Sequence, residues 1–412
     1  MNIKITPSVL TGKVKIPPSK SVAHRMIIAA ALAKGTSVIS NVDLSKDITA
    51  TIHAMKALGA DISVEGDTVT VKGIEQPPEK AVIDCNESGS TMRFLIPVAC
   101  ALGVETTFVG RGKLPQRPVT PYVEEFPKHG IEFDFSNAAE GCVLPCTVKG
   151  KLTSGDFNVS GGISSQFITG LLLALTLLDS DSRINLTSHL ESRPYVDITI
   201  ACLKNYGCEI SETEDSYTVK GGQALIACDG SVEGDYSQAA FFRVANSLGS
   251  NVEICGLSEN SRQGDKAIFD ICKNCEKKNG ELSSFEADVS DIPDLVPILT
   301  VLACFCKGKS RIYNAARLRI KECDRLEAIS ATLNKLGGKV IQHEDSLEIE
   351  GVESLHGGEI DSYNDHRIAM AISIAAIRST DDVVINGAEC VSKSYPEFFE
   401  DFKKLNGIAK EI

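Results

Sequence analysis

Hydrophobic and polar positions follow one pattern that recurs along the chain. A stretch with helical spacing ends at a glycine and leads into two short alternating segments, as in MKALGADISVEGDTVTVKG and LNKLGGKVIQHEDSLEIEG. The alternation predicts a pair of strands, and a glycine at this point is typical of the left-handed residue that ends a helix. We therefore expect six copies of one structural unit, marked by Gly59, Gly130, Gly207, Gly280, Gly337 and Gly407.

A second series of positions runs in step with these glycines. Small or polar residues open strongly apolar helices at Ser21, Gly89, Ser164, Ser237, Asp294 and His366. Both series contain a short fourth interval of 57 residues, which argues against coincidence. Segments such as FITGLLLALTLL and IAMAISIAAI are apolar nearly all round, as helices inside a domain are. The predicted fold class is α/β, in the form of α+β repeats, with buried helices in six βαββαβ units.

The two ends of the chain complement each other. With 412 residues the chain is too long for a single ordinary core, so two domains are expected. The chain begins with two strand-like segments, MNIKITPSVLTGKVKIP, whereas the last repeat, FKKLNGIAKEI, lacks its final strands. We expect the N-terminal strands to complete the last repeat. One domain of three units is then built from residues 1–17 and 232–412, and residues 18–231 form an inserted domain of three units.

Composition narrows the class of function. The net charge of -13 argues against a nucleic-acid binder, which carries a basic stripe. The longest apolar stretches, Leu171–Leu178 and Ile368–Ile377, fall short of the ~18 residues that a membrane span needs. The N-terminal segment lacks the apolar core of a signal peptide. These features predict a cytoplasmic protein whose partners include neither nucleic acid nor membrane.

The fourteen cysteines are spread through predicted helices and strands. Cys272 and Cys275 have the spacing of half a zinc site, and Cys142 and Cys146 form a looser pair. A structural zinc site needs four ligands in recognisable pairs, and a second tight pair is missing. The sequence therefore predicts that the cysteines are free thiols and that the protein binds no metal and no cofactor.

Candidate chemistry lies where the apolar helices begin. Helix N-termini offer free backbone N–H groups and a partial positive charge, which suit phosphate and carboxylate groups. The segments PPSKSVAHR, SGSTMR and GGISSQF place Lys20, Ser21, Arg25, Gly89, Ser164, Ser165 and Gln166 at such positions. Each segment alone is also typical of an ordinary helix cap or turn.

The later helices add carboxylates and further cations. Asp294 opens a helix in IPD, where an N-terminal cap is the default interpretation. The segments KECDR, YNDHR, VSKSYPEFF and LPQRP contribute Lys321, Glu322, Arg325, Arg367, Lys393 and Arg117. Cations concentrated at helix starts in an acidic chain predict an enzyme that binds small anions with phosphate and carboxylate groups.

Taken together and in order, ten segments resemble the family of 5-enolpyruvylshikimate-3-phosphate synthases. They are PPSKSVAHR, SGSTMR, LPQRP, GGISSQF, ESRPYVDIT, EGD, IPD, RIKECDR, YNDHR and VSKSYPEFF, and they span essentially the whole chain. The resemblance implies a monomer whose two domains close on the substrates phosphoenolpyruvate and shikimate 3-phosphate. It implies transfer of the enolpyruvyl group to the 5-hydroxyl with release of phosphate, through a tetrahedral intermediate, on the shikimate pathway to aromatic amino acids.

The resemblance also implies a role for each matched residue. Asp294 is the base on the hydroxyl, Glu322 the proton donor, and Lys20 a catalytic residue that touches both substrates. Shikimate 3-phosphate is held by Lys20, Ser21, Arg25, Ser164, Ser165, Ser192, Asp294 and Lys321. Phosphoenolpyruvate is held by Lys20, Gly89, Arg117, Gln166, Arg325, Arg367 and Lys393, and the herbicide glyphosate takes its place against the Gly89 backbone. The chain departs from the family pattern at Glu87, Arg193 and Arg317.

Two other functions remain as alternatives. The sister family that acts on UDP-N-acetylglucosamine shares the six-unit architecture but carries a reactive cysteine on the loop that corresponds to Arg111–Val123. Here that loop reads RGKLPQRPVTPYV, without cysteine. An inactive anion-binding repeat protein would not need both Asp294 and Glu322, and both are present in register.

Overall fold

The chain divides into two compact units. The computed structural model describes residues 1–277 and 280–412, so Lys278 and Asn279 of the fourth predicted repeat lie outside the described residues. We call Met1–Pro17 with Gly234–Ile412 the terminal unit and Pro18–Glu233 the inserted unit. Val232 falls in the inserted unit because its N–H donates to the carbonyl of Ser40, 3.0 Å away.

Strands and helices alternate through both units. The strands are β1 (Asn2–Thr6), β2 (Thr11–Lys15), β3 (Thr36–Ser40), β4 (Asp61–Glu65), β5 (Thr68–Lys72), β6 (Lys80–Asp84), β7 (Glu105–Val109), β8 (Glu132–Asp134), β9 (Cys146–Lys149), β10 (Asp156–Val159), β11 (Ser182–Leu186), β12 (Ile210–Glu212), β13 (Ser216–Val219), β14 (Gly230–Ser231), β15 (Asn251–Cys255), β16 (Glu286–Asp288), β17 (Lys309–Tyr313), β18 (Lys339–Gln342), β19 (Leu347–Glu350), β20 (Gly358–Asp361), β21 (Val383–Asn386) and β22 (Ile408–Glu411). The helices are α1 (Lys20–Leu32), α2 (Lys46–Ala57), α3 (Gly89–Leu102), α4 (Thr120–Glu125), α5 (Ser165–Leu175), α6 (Arg193–Asn205), α7 (Tyr236–Ser247), α8 (Ala267–Cys275), α9 (Val296–Cys304), α10 (Arg325–Lys335), α11 (His366–Ala375) and α12 (Phe398–Lys404).

The inserted unit contains three four-stranded sheets of one design. Their strand orders are β14-β3-β5-β4, β6-β7-β9-β8 and β10-β11-β13-β12. In each sheet the first two strands are parallel and the remaining neighbours are antiparallel. Parallel neighbours need a crossover connection, and α3 and α5 provide it for β6–β7 and β10–β11. The fold class is thus α/β, as predicted.

The order of elements inside a unit differs from the predicted βαββαβ. The second repeat runs β6, α3, β7, α4, β8, β9, which is βαβαββ. The physical reason is the parallel pair: the strand after the apolar helix returns to lie beside the strand before it. The second helix therefore precedes the hairpin instead of following it.

In the terminal unit the two N-terminal strands join different sheets. The sheets have the orders β16-β17-β19-β18, β20-β21-β1-β22 and β15-β2. Strand β1 lies between β21 and β22 and is antiparallel to both. Strand β2 instead pairs in parallel with β15. Only β1 therefore joins the last repeat, while β2 supplies the opening strand of the fourth.

The apolar helices form the cores, as their all-round hydrophobicity predicts. Every residue of α11 is buried, and in α5 only Gln166 is not. Helices α3 and α5 pack so closely that a Cβ added at Gly170 would lie only 2.3 Å from the carbonyl oxygen of Arg93. This approach brings the N-termini of the two helices side by side. Among the described residues, none of the helices has the length and apolar character to span a membrane.

Candidate active site

In the inserted unit, the starts of α1, α3 and α5 bring together the first group of predicted site residues. Ser88 caps α3 by accepting the N–H of Thr91 at 3.1 Å, and Ser164 caps α5 by accepting the N–H of Gln166 at 3.3 Å. Lys20 is the first residue of α1, and its Nζ lies 2.8 Å from Oδ2 of Asp47. The carboxylate holds the lysine at the start of its helix.

Arg25 is a buried cation surrounded by neutral groups. It is only 2% exposed, and Nε donates to Oγ1 of Thr199 at 2.7 Å. Nη1 donates to the carbonyl of Ser21, and Nη2 to the carbonyl of Tyr195 at 2.9 Å. Burial lowers the pKa of Arg25 to about 10, so the guanidinium stays charged at neutral pH. In the part of the chain that the structure describes, the partners of this guanidinium are hydroxyl and carbonyl oxygens, with no carboxylate among them.

Arg117 lies directly over the first residue of α3. A side chain at Gly89 would place its Cβ 2.7 Å from Nη1, 2.8 Å from Cζ and 2.9 Å from Nη2 of Arg117. A short 3-10 turn, Leu114–Gln116, precedes the arginine, whose N–H donates to Leu114. Glycine at this position therefore allows a buried guanidinium to rest on the positive end of a helix.

Gln166 is oriented by a residue that the sequence prediction missed. Nη1 of Arg93 donates to Oε1 of Gln166 at 2.9 Å, and Nε2 of the glutamine donates to Oγ of Ser90 at 3.0 Å. Arg93 is itself fixed by the carbonyl of Pro118 and by the ring of Phe167, 4.9 Å away. Its place four residues after Gly89, on the same face of α3, was the available signal.

Ser192 occupies a strained position before α6. Its φ of 58° and ψ of 39° lie in the left-handed region, where residues other than glycine are uncommon. It is 4% exposed, and its side chain does not cap the helix. Strain of this kind collects at functional sites, where the surrounding structure holds it in place.

In the terminal unit, one buried guanidinium joins three carboxylates. Nε of Arg325 lies 2.7 Å from Oδ2 of Asp365, Nη1 2.9 Å from Oδ1 of Asp294, and Nη2 2.8 Å from Oε2 of Glu322. Both predicted catalytic carboxyls are therefore bound to the same arginine. Arg325 and Asp365 are fully buried, whereas the side chains of Asp294 and Glu322 are each 19% exposed.

Asp294 has a second arginine. Nη2 of Arg367 lies 2.7 Å from the other oxygen of Asp294. Burial alone would raise the pKa of Asp294, but Arg367, Lys321 and Arg325 together hold that pKa well below its ordinary range. Asp294 lies inside the 3-10 turn Pro293–Leu295, so the predicted N-terminal cap is wrong and the ion pairs take its place.

The remaining predicted cations lie in the same unit. Burial lowers the pKa of Lys321 to about 8, so its ammonium group titrates near the physiological range. Lys393 is buried, and its Nζ donates to the carbonyl of Asn364 at 2.7 Å. Asn364 has a φ of 53°, so the backbone turns its carbonyl toward the lysine in a conformation that asparagine tolerates.

Asp365 is the second residue that the sequence prediction missed. It is 0% exposed, caps α11 by accepting the N–H of Arg367 at 2.9 Å, and binds Arg325 with its other oxygen. The motif YNDHR suggested only a helix start at this point. Asp365 therefore fixes the guanidinium of Arg325 and the backbone N–H of Arg367.

The three departures from the family pattern have separate surroundings. Arg317 donates to the carbonyl of Ser290, and Arg193 lies 3.5 Å from the exposed Glu212. Glu87 packs against Gly112, where an added Cβ would lie 2.5 Å from its Oε2.

Comparisons with known proteins match nearly the whole length of the chain. The family model of EPSP synthase (3-phosphoshikimate 1-carboxyvinyltransferase) matches residues 5–402. The 3-phosphoshikimate 1-carboxyvinyltransferase of Clostridium novyi (strain NT) is 48% identical over 100% of this chain and 98% of its own length. That of Clostridioides difficile (strain 630) is 45% identical over 98% of both chains.

A solved structure has the same fold. The EPSP synthase of Acinetobacter baumannii superposes with a TM-score of 0.82 over 100% of both chains, at 24% sequence identity. This likeness supports the fold, while the family match and the clostridial relatives support the kind of enzyme. The chain belongs to the EPSP synthase (3-phosphoshikimate 1-carboxyvinyltransferase) family.

Proposed function

We propose that this enzyme carries out the reaction of its family with the side chains described above. The reaction transfers the enolpyruvyl group of phosphoenolpyruvate to the 5-hydroxyl of shikimate 3-phosphate and releases phosphate. The observation that carries the assignment of roles is the cluster around Arg325, where two carboxyls that differ in their partners lie among buried cations. Addition across a double bond needs one proton removed and another delivered, and such a pair is suited to both.

Eight residues are proposed to bind shikimate 3-phosphate. Arg25 supports this role because its charge is buried among neutral partners. Ser164 and Ser165 support it through the positive end of α5, and Ser192 through its strained backbone. The full proposed set is Lys20, Ser21, Arg25, Ser164, Ser165, Ser192, Asp294 and Lys321.

Phosphoenolpyruvate is proposed to bind a second set of cations. Arginine engages carboxylate and phosphate groups through two parallel N–H donors, so several arginines suit a ligand that carries both groups. Arg117 supports this role because it lies over the N-terminus of α3 with no side chain between them. The full proposed set is Lys20, Gly89, Arg117, Gln166, Arg325, Arg367 and Lys393.

The proposed chemistry has two steps. In the addition, the 5-hydroxyl oxygen bonds to C2 of phosphoenolpyruvate, Asp294 takes the hydroxyl proton, and Glu322 gives a proton to the methylene carbon. In the elimination, a proton leaves the new methyl group, the C2–O bond to phosphate breaks, and the double bond re-forms. The cations stabilise the negative charge on the tetrahedral intermediate and on the leaving phosphate.

We also propose that the two units are the two domains, each with three repeats, and that the protein is a cytoplasmic monomer. None of the fourteen cysteines, all within the described residues, forms a disulfide, which is typical of a reducing compartment. The proposed partners are the two small-molecule substrates, without nucleic acid, metal or cofactor.

Release of inorganic phosphate from the purified protein tests the proposed function. We expect release only when phosphoenolpyruvate and shikimate 3-phosphate are both present. Release with UDP-N-acetylglucosamine instead of shikimate 3-phosphate would assign the chain to the sister reaction. Absence of phosphate release with either acceptor would favour the remaining alternative, an anion-binding protein without catalytic activity.

A further inference from the structure

A buried carboxyl outside the predicted site lies in the terminal unit. Asp265 is in the 3-10 turn Gly264–Lys266 before α8 and is 2% exposed. Its Oδ2 accepts a hydrogen bond from the hydroxyl of Ser237, in the first turn of α7. Its Oδ1 is buried without a hydrogen-bond partner among the described residues. A buried carboxylate oxygen without a donor is costly, so this group needs an explanation.

The segment that carries Asp265 is fixed to the start of α7. Oε1 of Gln263 accepts the N–H of Tyr236 at 3.0 Å, and Nε2 of Gln263 donates to the carbonyl of Gly234 at 2.9 Å. Because only Gly264 separates Gln263 from Asp265, these two hydrogen bonds also hold the carboxyl against the helix. The carboxyl therefore has little freedom to move away from its surroundings.

The same turn of α7 leads to the proposed phosphoenolpyruvate residues. Nε2 of Gln238 donates to the carbonyl of Ser394 at 3.5 Å, beside Lys393. Helix α7 also packs against α11, which carries Arg367, and against the turn that carries Asp294. The carboxyl of Asp265 and the arginine–carboxylate cluster thus share one core.

Charges face Asp265 from three of these elements. They are Asp294 in the turn before α9, Arg367 at the start of α11, and Asp235 at the cap of α7. On its own side, Lys266, Asp270 and Lys273 are exposed. Burial raises the pKa of Asp265 to about 7, Asp294 and Asp235 add to the rise, and Arg367 and Ser237 oppose it. Near neutral pH the carboxyl is therefore divided between its two protonation states.

We propose that Asp265 is a positioning residue for phosphoenolpyruvate binding, a buried carboxyl that lies in the same core as Arg367 and Asp294 and takes up a proton when an anionic substrate arrives. This inference rests on the proposed role of Arg367. The ionised carboxyl offsets part of the positive charge of Arg367 and so weakens the attraction of the arginine for the substrate. The protonated carboxyl leaves that charge to the substrate, and linkage requires the bound substrate to favour the protonated form in turn.

The direction of the pH effect follows. As pH rises through about 7, Asp265 loses its proton and a further negative charge appears in the core that contains Arg367. The KM for phosphoenolpyruvate should therefore rise about five- to ten-fold between pH 6.5 and 8 at saturating shikimate 3-phosphate, the size expected for one charge at short range in a partly screened site. Asp265→Asn mimics the protonated form and should remove most of this rise in KM. Its kcat should differ little from that of the wild type.

Two further variants separate this role from a structural one. Ser237→Ala keeps the carboxyl but removes the hydrogen bond that favours its ionised form, so the midpoint of the KM rise should move to higher pH. Asp270→Asn, an exposed carboxyl on neighbouring α8, should follow the wild-type profile. The readout is the pH profile of KM, which a loss of packing alone would not reshape.

The inference is overturned if the KM profiles of Asp265→Asn and the wild type superimpose. Should Asp265→Asn fail to fold, the Ser237→Ala profile decides, and an unchanged midpoint contradicts the inference. A wild-type protein without turnover would instead refute the proposed function, so the two failures are distinguishable.

Discussion

Arg367 and Asp294 form an ion pair in which Nη2 of the buried arginine lies 2.7 Å from Oδ2 of the partly exposed aspartate. Because this arginine is also proposed to bind phosphoenolpyruvate, one guanidinium serves both the carboxylate and the substrate, and a bound anion offsets part of its charge. Burial alone would raise the pKa of Asp294, and an anion that draws Arg367 away removes one of the charges that hold that pKa low. Substrate binding would therefore make Asp294 a stronger base.

Replacement of Asp294 tests its role as the base. Asp294→Asn keeps the shape of the side chain and one of the two oxygen acceptors, for Arg325 or for Arg367, but cannot take the hydroxyl proton. We expect kcat to fall about 10²- to 10⁴-fold, the usual contribution of a general base, while both substrates still bind. Steady-state kinetics with calorimetric binding of shikimate 3-phosphate measures both effects. Turnover close to that of the wild type would exclude Asp294 as the base.

Glu322→Gln tests the proton donor. The amide keeps the shape of the side chain and a hydrogen bond to Arg325 but has no acidic proton. We expect kcat to fall by about the same 10²- to 10⁴-fold and the KM values to change little. Glu327→Gln, an exposed carboxyl on α10, is the matched control. Equal loss in both variants would indicate an effect on the helix instead of on catalysis.

Gly89→Ala tests the contact between α3 and Arg117. The added Cβ would lie 2.7–2.9 Å from the guanidinium, so the arginine must move. We expect the KM for phosphoenolpyruvate to rise about ten-fold, because one charge-assisted contact of about 1.5 kcal/mol is weakened. Inhibition by glyphosate should weaken as well. An unchanged KM for shikimate 3-phosphate serves as the internal control, and an unchanged KM for phosphoenolpyruvate would contradict the proposed role of Arg117.

Ser192→Gly should separate stability from binding. Glycine adopts the left-handed backbone at this position without strain, although it adds freedom to the unfolded chain. We expect the free energy of unfolding to rise by about 0.5–1 kcal/mol. The hydroxyl is lost, so the KM for shikimate 3-phosphate should rise. Thermal unfolding and kinetics on the same preparation check the pair of effects, and a stabilised protein with unchanged KM would remove Ser192 from the site.

Lys321 predicts a second pH dependence, distinct from that of Asp265. Burial lowers the pKa of Lys321 to about 8, so the charged form predominates below that pH and is lost above it. Binding of shikimate 3-phosphate should therefore weaken between pH 7 and 9. Lys321→Arg stays charged throughout this range and should flatten the KM profile for shikimate 3-phosphate. A variant profile that still follows the wild type would assign the titration to another group.

The sequence predicted the buried helices well because their signal is local. Ser164 precedes the first residue of α5, and His366 is the first residue of α11. Gly59, Gly130, Gly207 and Gly337 are left-handed residues that follow a helix, as predicted. Gly280 is left-handed but lies five residues beyond the end of α8, and in the last repeat the left-handed residue is Asn406 and not Gly407. Asparagine tolerates this conformation, so the pattern of glycines alone could not find it.

The contacts that organise the candidate site are not local, and the sequence could not supply them. Arg325 joins Asp294, 31 residues earlier, and Asp365, 40 residues later. Asp294 looked like a helix cap because nothing in IPD shows that two arginines surround it. The pairing of β2 could likewise not be predicted from a local pattern, since its partner β15 lies some 240 residues further along the chain.

The position of β1 has a consequence for how the chain is made. Strand β1 is synthesised first, yet its neighbours β21 and β22 come from residues 383–411. During synthesis the inserted unit can fold as soon as its own residues have emerged, because all of its strands lie between residues 36 and 231. The first strand must meanwhile stay unpaired until the last ones leave the ribosome. Completion of the terminal unit thus has to wait for the synthesis of β22, and β1 is a segment that chaperones would meet in its unpaired form.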